Sequence, residues 1–249
     1  MAHYFAEQSQ LSANTLQLPK ADYTHLMGSL RLQIDEPLRI VVDQRIVLDT
    51  VVTAISKSSL SFTCLQETPV QPPAYSIDLA LCLTKHDAFC ETLHHCTQLP
   101  VYRFIPLISA YSVPQLSDQK LPDKLLRWNR ILNQSSCQCE RLHRPSIDAP
   151  KPFLPWVQAA TIQWQSYDCV LFCDETKPQQ TLGTLRPIRA KRILAIIGPE
   201  GGFSDAERTA MAQTSATPIA LGSTIFKAPQ AAFYVGAVLQ HELENCLPT

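Results

Sequence analysis

The chain has 249 residues, of which 45% are apolar and 17% charged, and its formal net charge is −1. That length and composition supply a substantial buried core, enough for one large domain or two smaller ones. The near-neutral charge excludes a global basic field for non-specific nucleic-acid binding, so any RNA contact must be local.

The segment from Met1 to Glu7 lacks the basic start and apolar core of a signal peptide. No apolar run approaches the roughly 18 residues of a membrane helix, so a cytoplasmic protein with no membrane partner is expected. Residues 38–64 are rich in Val, Ile, Thr and Leu, in short runs broken by Asp-Gln and Ser-Lys-Ser-Ser. This strand-and-turn texture predicts a small β domain over residues 1–70. Pro69, Pro72 and Pro73 then remove ladder donors and restrict their predecessors, which predicts a linker.

After the linker the texture changes. Residues 77–83 (IDLALCL) form a nearly continuous apolar run, followed by a helix-like stretch at 87–99 and a second run at 101–107 (VYRFIPL). Leu125, Leu126, Trp128, Ile131 and Leu132 give helical spacing to 123–142, and residues 169–173 (CVLFC) and 193–197 (ILAII) read as further buried strands. Such alternation predicts an α/β domain with a parallel sheet over residues 74–249. Nine cysteines are an odd number, and Cys82, Cys90, Cys96, Cys169 and Cys173 fall in apolar or helical segments, so reduced, buried thiols are expected. Neither Cys137 with Cys139 nor Cys169 with Cys173 has the paired spacing of a zinc site, and His86, His94 and His95 add no ligand pattern; no metal is expected.

Two basic clusters qualify as local RNA contacts. One runs from Lys120 to Arg144, with Lys120, Lys124 and Arg127 on one helical face; the other is Arg186, Arg189, Lys191 and Arg192. For either one alone, a solvated surface is the better explanation.

Three of the seven glycines fall within 198–203 (GPEGGF). Ser204 follows, with Glu207 three residues later, the capping-box spacing for a helix starting at Asp205. Strand, glycine loop and capped helix suit phosphate binding, a nucleoside pocket or a tight turn. The absent Lys-Ser or Lys-Thr excludes a P-loop, the spacing is not GxGxxG, and Glu200 would repel phosphate while accepting from ribose hydroxyls or an amine. Residues 218–221 read as another buried strand ending at Leu221-Gly222, and Pro229 opens a last helix over 230–243. Both glycine loops then sit at carboxyl ends of parallel strands, where open α/β sheets bind ligands.

These residues resemble a known family. IIGPEGGFSDAE followed by IALGSTIF resembles the signature of the knotted SPOUT methyltransferases, specifically the bacterial enzymes that methylate N3 of a uridine in 16S ribosomal RNA. His25-Leu26 with Leu30-Arg31-Leu32, Lys85 with Asp87, Thr97, Leu99 and Val101, 105–109 (IPLIS) with Ser112-Val113, and Arg127-Trp128 with Gln138 and Arg141 follow that family's order. The resemblance implies a PUA-like β-barrel RNA-binding domain over 1–70 and a SPOUT domain with a deep trefoil knot over 74–249. It further implies a homodimer that acts on 16S rRNA or the small ribosomal subunit, with S-adenosylmethionine held in the knot. The implied cofactor residues are Phe172, Gly198, Glu200, Gly201, Gly202, Leu221, Gly222, Ile225 and Phe226, from loops at 172–175, 198–202 and 221–226. A cation beside the base would favour the uridine anion; Lys227 is the candidate, with Lys85 as the second, and contact with RNA phosphate explains either equally, while Arg31, Lys124, Arg127 and Arg141 are the implied RNA contacts.

Departures concentrate on polar positions. The family's ILRTETA stands here as 225–231 (IFKAPQA), so an arginine is replaced by Lys227 and a glutamate by Pro229. Ala110 and Tyr111 stand where the family has Glu and Arg. Lysine keeps the charge but loses the bidentate fork. A cofactor-binding paralogue with weakened catalysis, serving as an RNA-binding ribosome assembly factor, is the alternative these changes raise.

Overall fold

The computed structural model describes residues 1–29, 31–112, 118–159, 164–176, 180–185, 188 and 190–245. Leu30, Val113, Arg186 and Arg189 lie outside them. The chain divides into two compact units, Met1–Pro72 with Ser136–Arg144, and Pro73–Ser135 with Pro145–Thr249.

In the first unit, β1 (Ala2–Ala6), β2 (Leu11–Ser12), β3 (Thr15–Gln17), β4 (Pro37–Val42), β5 (Ile46–Ile55) and β6 (Ser59–Pro69) form a sheet in the order β1-β4-β5-β6-β3-β2. β1 and β4 run parallel, with Tyr4 opposite Ile40, and the other neighbours pair antiparallel. The Asp-Gln break is the turn between β4 and β5. Asp43 and Gln44 hold φ of 48° and 55°, and the Arg45 amide donates to the Val42 carbonyl at 2.9 Å. Two left-handed residues give a turn whose twist matches a hairpin. Leu38, Ile40, Val52 and Leu60 point inward and build a core with Leu16 and Leu26.

The second unit carries β7 (Ser76–Cys82), β8 (Val101–Ile108), β9 (Ser146–Ile147), β10 (Lys151–Pro152), β11 (Cys169–Cys173), β12 (Arg192–Ile197) and β13 (Thr217–Ile219). They form one sheet, β10-β8-β7-β12-β11-β13 with β9 also on β8, in which every pairing is parallel. Among the described residues the α-helices are α1 (Lys20–Thr24) in the first unit, then α2 (His86–Cys96), α3 (Leu121–Gln138), α4 (Phe153–Gln158), α5 (Asp205–Ala212) and α6 (Ala228–Asn245).

Every residue of β7 from Ile77 to Cys82 is buried, because the sheet is covered on both faces. Strand alternation divides its side chains between two cores. Ile77, Leu79, Leu81, Ile193 and Ala195 pack with Phe89 and Leu93 of α2, Trp128 of α3 and Val235 and Leu239 of α6. Ala80, Ile105, Leu194 and Ile196 pack with Phe153 and Trp156 of α4 and Met211 of α5. Each large apolar side chain so buried contributes roughly 1.5–3 kcal/mol. Pro229 lies in the first turn of α6, where its missing N–H costs nothing.

The described cysteines are free thiols. Among the described residues, no helix is long and apolar enough to cross a membrane, and no three His, Cys, Asp or Glu side chains stand together as metal ligands.

Candidate functional site

The carboxyl ends of β11, β12 and β13 surround a cavity of about 290 Å³. Three loops line it: 173–175, 198–202 through Gly198, Pro199, Glu200 and Gly202, and 219–227; Ala228 and Ala231 of α6 complete the wall.

Each loop has a local cause. A Cβ on Gly198 would stand 2.8 Å from the Phe203 ring. That ring cannot retreat, because it lies 4.6 Å from Phe172 and 5.3 Å from Phe153, centroid to centroid. Gly202 has φ of 70°, a conformation that favours glycine, and its amide donates to the Pro199 carbonyl at 3.0 Å to close the turn. Ser204 then caps α5. Its hydroxyl accepts the Glu207 amide at 3.3 Å, while the Glu207 carboxylate accepts the Ser204 amide at 2.8 Å. The other Glu207 oxygen accepts the Ala110 amide at 2.8 Å, so one buried carboxylate ties the loop after β8 to the loop after β12.

Asp174 is oriented from three sides. Its carboxylate accepts from Arg208 Nε at 3.0 Å and from the Thr176 hydroxyl at 2.9 Å, and its amide donates to the Ile219 carbonyl at 3.1 Å. Burial opposes the charge on Arg208, but the Asp174 hydrogen bond and the negative charges of Asp174, Glu175 and Asp205 together outweigh it and push the guanidinium pKa up. Burial pushes the Cys173 thiol up to about 12, so it stays protonated and is no nucleophile at neutral pH. Phe226 stacks on Tyr234 of α6 at 5.0 Å and 17°, while Ile225 is 81% exposed at the rim.

The described lining carries three carboxylates (Asp174, Glu175, Glu200) and one ammonium (Lys227) among the apolar Ile197, Ile219, Leu221 and Ile225. Negative groups around an apolar cleft disfavour a polyphosphate and suit a nucleoside that carries positive charge.

Residues 71–240 match the family described as RNA methyltransferase domain. The chain belongs to that family. It is 23% identical to the ribosomal RNA small subunit methyltransferase E of Bacillus subtilis over 259 residues, covering 98% of each chain. To the protein of the same name from Synechocystis it is 29% identical over 172 residues, 68% of this chain and 54% of the other. A putative methyltransferase from Legionella pneumophila, solved with bound S-adenosylmethionine, superposes with a TM-score of 0.85 at 21% identity, over 96% of this chain and 97% of that one. The Neisseria gonorrhoeae ribosomal RNA small subunit methyltransferase E, also bound to S-adenosylmethionine, gives 0.82 at 20% identity over 98% of both. These two likenesses establish a shared fold.

In this RNA methyltransferase, Gly198, Glu200, Gly202, Leu221, Gly222, Ile225, Phe226 and Lys227 meet at the one cavity. Phe172 does not line it: strand alternation turns its ring into the Phe203 stack, and the next residues, Cys173 and Asp174, face the opening instead. Gly201 is also outside the lining, and a Cβ there would meet Tyr111 at 3.1 Å. Lys85 stands at the residue before α2, where its side chain makes no capping bond, exposed and away from the lining. Lys124 and Arg127 lie one turn apart on α3, half-buried and exposed respectively. Arg31 and Arg141 belong to the first unit. Arg31 is exposed with φ of 52°, whereas Arg141 Nε donates to the His143 carbonyl at 3.0 Å and burial pushes its pKa down. Sequence reasoning missed the Arg208 clamp on Asp174 and the wall supplied by Ala231. Arg208 carried no signal beyond its place in a capped helix.

Proposed function

We propose that this chain transfers a methyl group from S-adenosylmethionine to N3 of a uridine in 16S ribosomal RNA. The observation that carries the reading is the meeting of three loops at one acidic and apolar cavity, in a chain that belongs to an RNA methyltransferase family. The names of the relatives support small-subunit ribosomal RNA as the substrate, and the two solved structures with S-adenosylmethionine support the donor.

The cofactor supplies a methyl group on a sulfonium. Glu200 and Glu175 would receive its hydroxyl or amino groups, the apolar side chains of Ile219, Leu221 and Phe226 its adenine, and the backbone of 219–227 its edges. The chain must also hold a uridine whose N3 proton has left. Lys227, the ammonium in the lining, favours the uridine anion electrostatically, so the proton passes to water more readily and the nitrogen is oriented for attack. Arg31, Lys124, Arg127 and Arg141 hold flanking RNA, while Lys85 and Phe172 act from outside the lining. A PUA-like barrel for the first unit, a trefoil knot around the cavity, a homodimer and a cytoplasmic location complete the proposal.

Purified protein with radiolabelled S-adenosylmethionine and small-subunit RNA lacking the mark tests it directly. Label in the RNA, abolished by Gly202→Val, is expected; cofactor binding without any transfer would favour the assembly-factor reading that Lys227, Ala110 and Tyr111 raise.

A further inference from the structure

Arg208, the fourth residue of α5, stands outside the lining of the cofactor cavity yet reaches two of the loops that form it. Its Nε donates to one Asp174 oxygen at 3.0 Å, in the loop after β11. In the loop after β12, a Cβ on Gly202 would meet Glu175 Oε1 at 3.0 Å and Arg208 Nη2 at 3.6 Å, so the carboxylate and the guanidinium both lie where that glycine has no side chain. Asp174 carries the tie on to the third loop, because its amide donates to the Ile219 carbonyl at 3.1 Å.

The Asp174 carboxylate is committed on both oxygens. One accepts from Arg208, and the other accepts the Thr176 amide at 3.2 Å and its hydroxyl at 2.9 Å. The Asp174 side chain is 10% exposed, against 26% for Arg208. A charge so enclosed is screened little by water, so it acts on whatever the cavity holds unless a counter-ion cancels it. Arg208 is that counter-ion; Asp205 is its weaker partner, 3.8 Å away and fully exposed. With Asp174 cancelled, Glu175 and Glu200 face Lys227 across the described lining.

S-adenosylmethionine and its demethylated product differ by one methyl group and one positive charge, the sulfonium. The ratio of their affinities therefore reads the field at the sulfur. Surplus negative charge favours the donor, but it also raises the barrier: the positive charge fades as the methyl group leaves, so the ground state is stabilised more than the transition state. A carboxylate that ties the loops while its charge is cancelled avoids that penalty. We propose that Arg208 is a positioning residue that fixes Asp174 as a loop tie and, by cancelling its charge, sets the cavity's preference between the sulfonium donor and the thioether product. The inference rests on S-adenosylmethionine being the occupant of this cavity.

Isothermal titration of S-adenosylmethionine and of S-adenosylhomocysteine into the full chain tests it. Arg208→Gln uncovers the Asp174 charge, and the ratio of the product's Kd to the donor's should rise about threefold to tenfold. Asp174→Asn leaves Arg208 unmatched, and the ratio should fall by a similar factor. Arg208→Lys keeps the charge but loses the planar fork, so the ratio should stay within about twofold of the wild type even where both affinities drop. The double variant, with neither charge, should behave likewise. A clamp that is only structural weakens both ligands together, so ratios unmoved in Arg208→Gln and Asp174→Asn, or moved in the same direction by both, overturn the proposal. Should Arg208→Gln fail to fold, the Asp174→Asn ratio decides, a fall upholding the proposal and no change overturning it. Binding of neither ligand by the wild type overturns the cofactor reading and this inference with it, whereas wild-type binding with unmoved ratios overturns this inference alone.

Discussion

The Glu207 carboxylate, 1% exposed, accepts the Ala110 amide at 2.8 Å from 97 residues away while the same group closes the cap of α5 on Ser204. The loop after β8 and the glycine loop after β12 are therefore held by one side chain. Glu207→Ala strands two backbone amides and should cost about 3 kcal/mol, since hydrogen bonds to a charged group contribute roughly 1.5–3 kcal/mol each. Calorimetry should show Tm falling by about 6–12 °C, with Glu207→Gln falling less.

Gly198→Ala places a methyl group against a ring fixed between Phe172 and Phe153. Overpacking of this kind costs about 1–3 kcal/mol. The displaced loop should weaken S-adenosylmethionine binding at least about tenfold, read by isothermal titration, with the far-UV spectrum of the sheet unchanged.

Lys227→Ala should lower kcat by about a hundredfold, a typical loss for one preorganised electrostatic group, while the cofactor Kd moves less than about threefold. Lys227→Arg restores charge and should recover most of the rate. An anion-stabilising role also predicts that activity of Lys227→Ala climbs with pH further into the alkaline range than that of the wild type. A uniform loss in Kd and kcat for both variants would make the residue structural.

His3 is buried with neither ring nitrogen partnered, and burial, aided by Arg39, holds its pKa down at about 4 against 6.5 when free. The unfolded chain binds the extra proton between those values, so stability is fully present above pH 6.5 and is lost as pH falls towards 4. His3→Gln, which does not titrate there, should flatten denaturation midpoints between pH 6.5 and 4; an unchanged acid limb would refute the assignment.

The architecture of the second unit was legible because buried parallel strands need unbroken apolar runs, and 77–83, 101–107 and 193–197 are such runs bounded by polar residues. The cap at Ser204 was legible for a similarly local reason: Glu207 stands at the one spacing that lets each side chain reach the other's amide. What stayed hidden is non-local. The second bond of Glu207 goes to Ala110, the Asp174 carboxylate finds Arg208, and Ser136–Arg144 joins the first unit, none of which a local pattern encodes. Phe172 illustrates a one-residue limit, since period-two alternation gives its face to the core and the next position to the cavity.

The most direct measurement of the central claim is nucleoside mass spectrometry of 16S rRNA after incubation of unmodified small-subunit RNA with this protein and S-adenosylmethionine. The account predicts stoichiometric 3-methyluridine at a single position, lost with Gly198→Ala and strongly reduced with Lys227→Ala. Cofactor binding with no 3-methyluridine, or a methyl group on a ribose or another base, would contradict it.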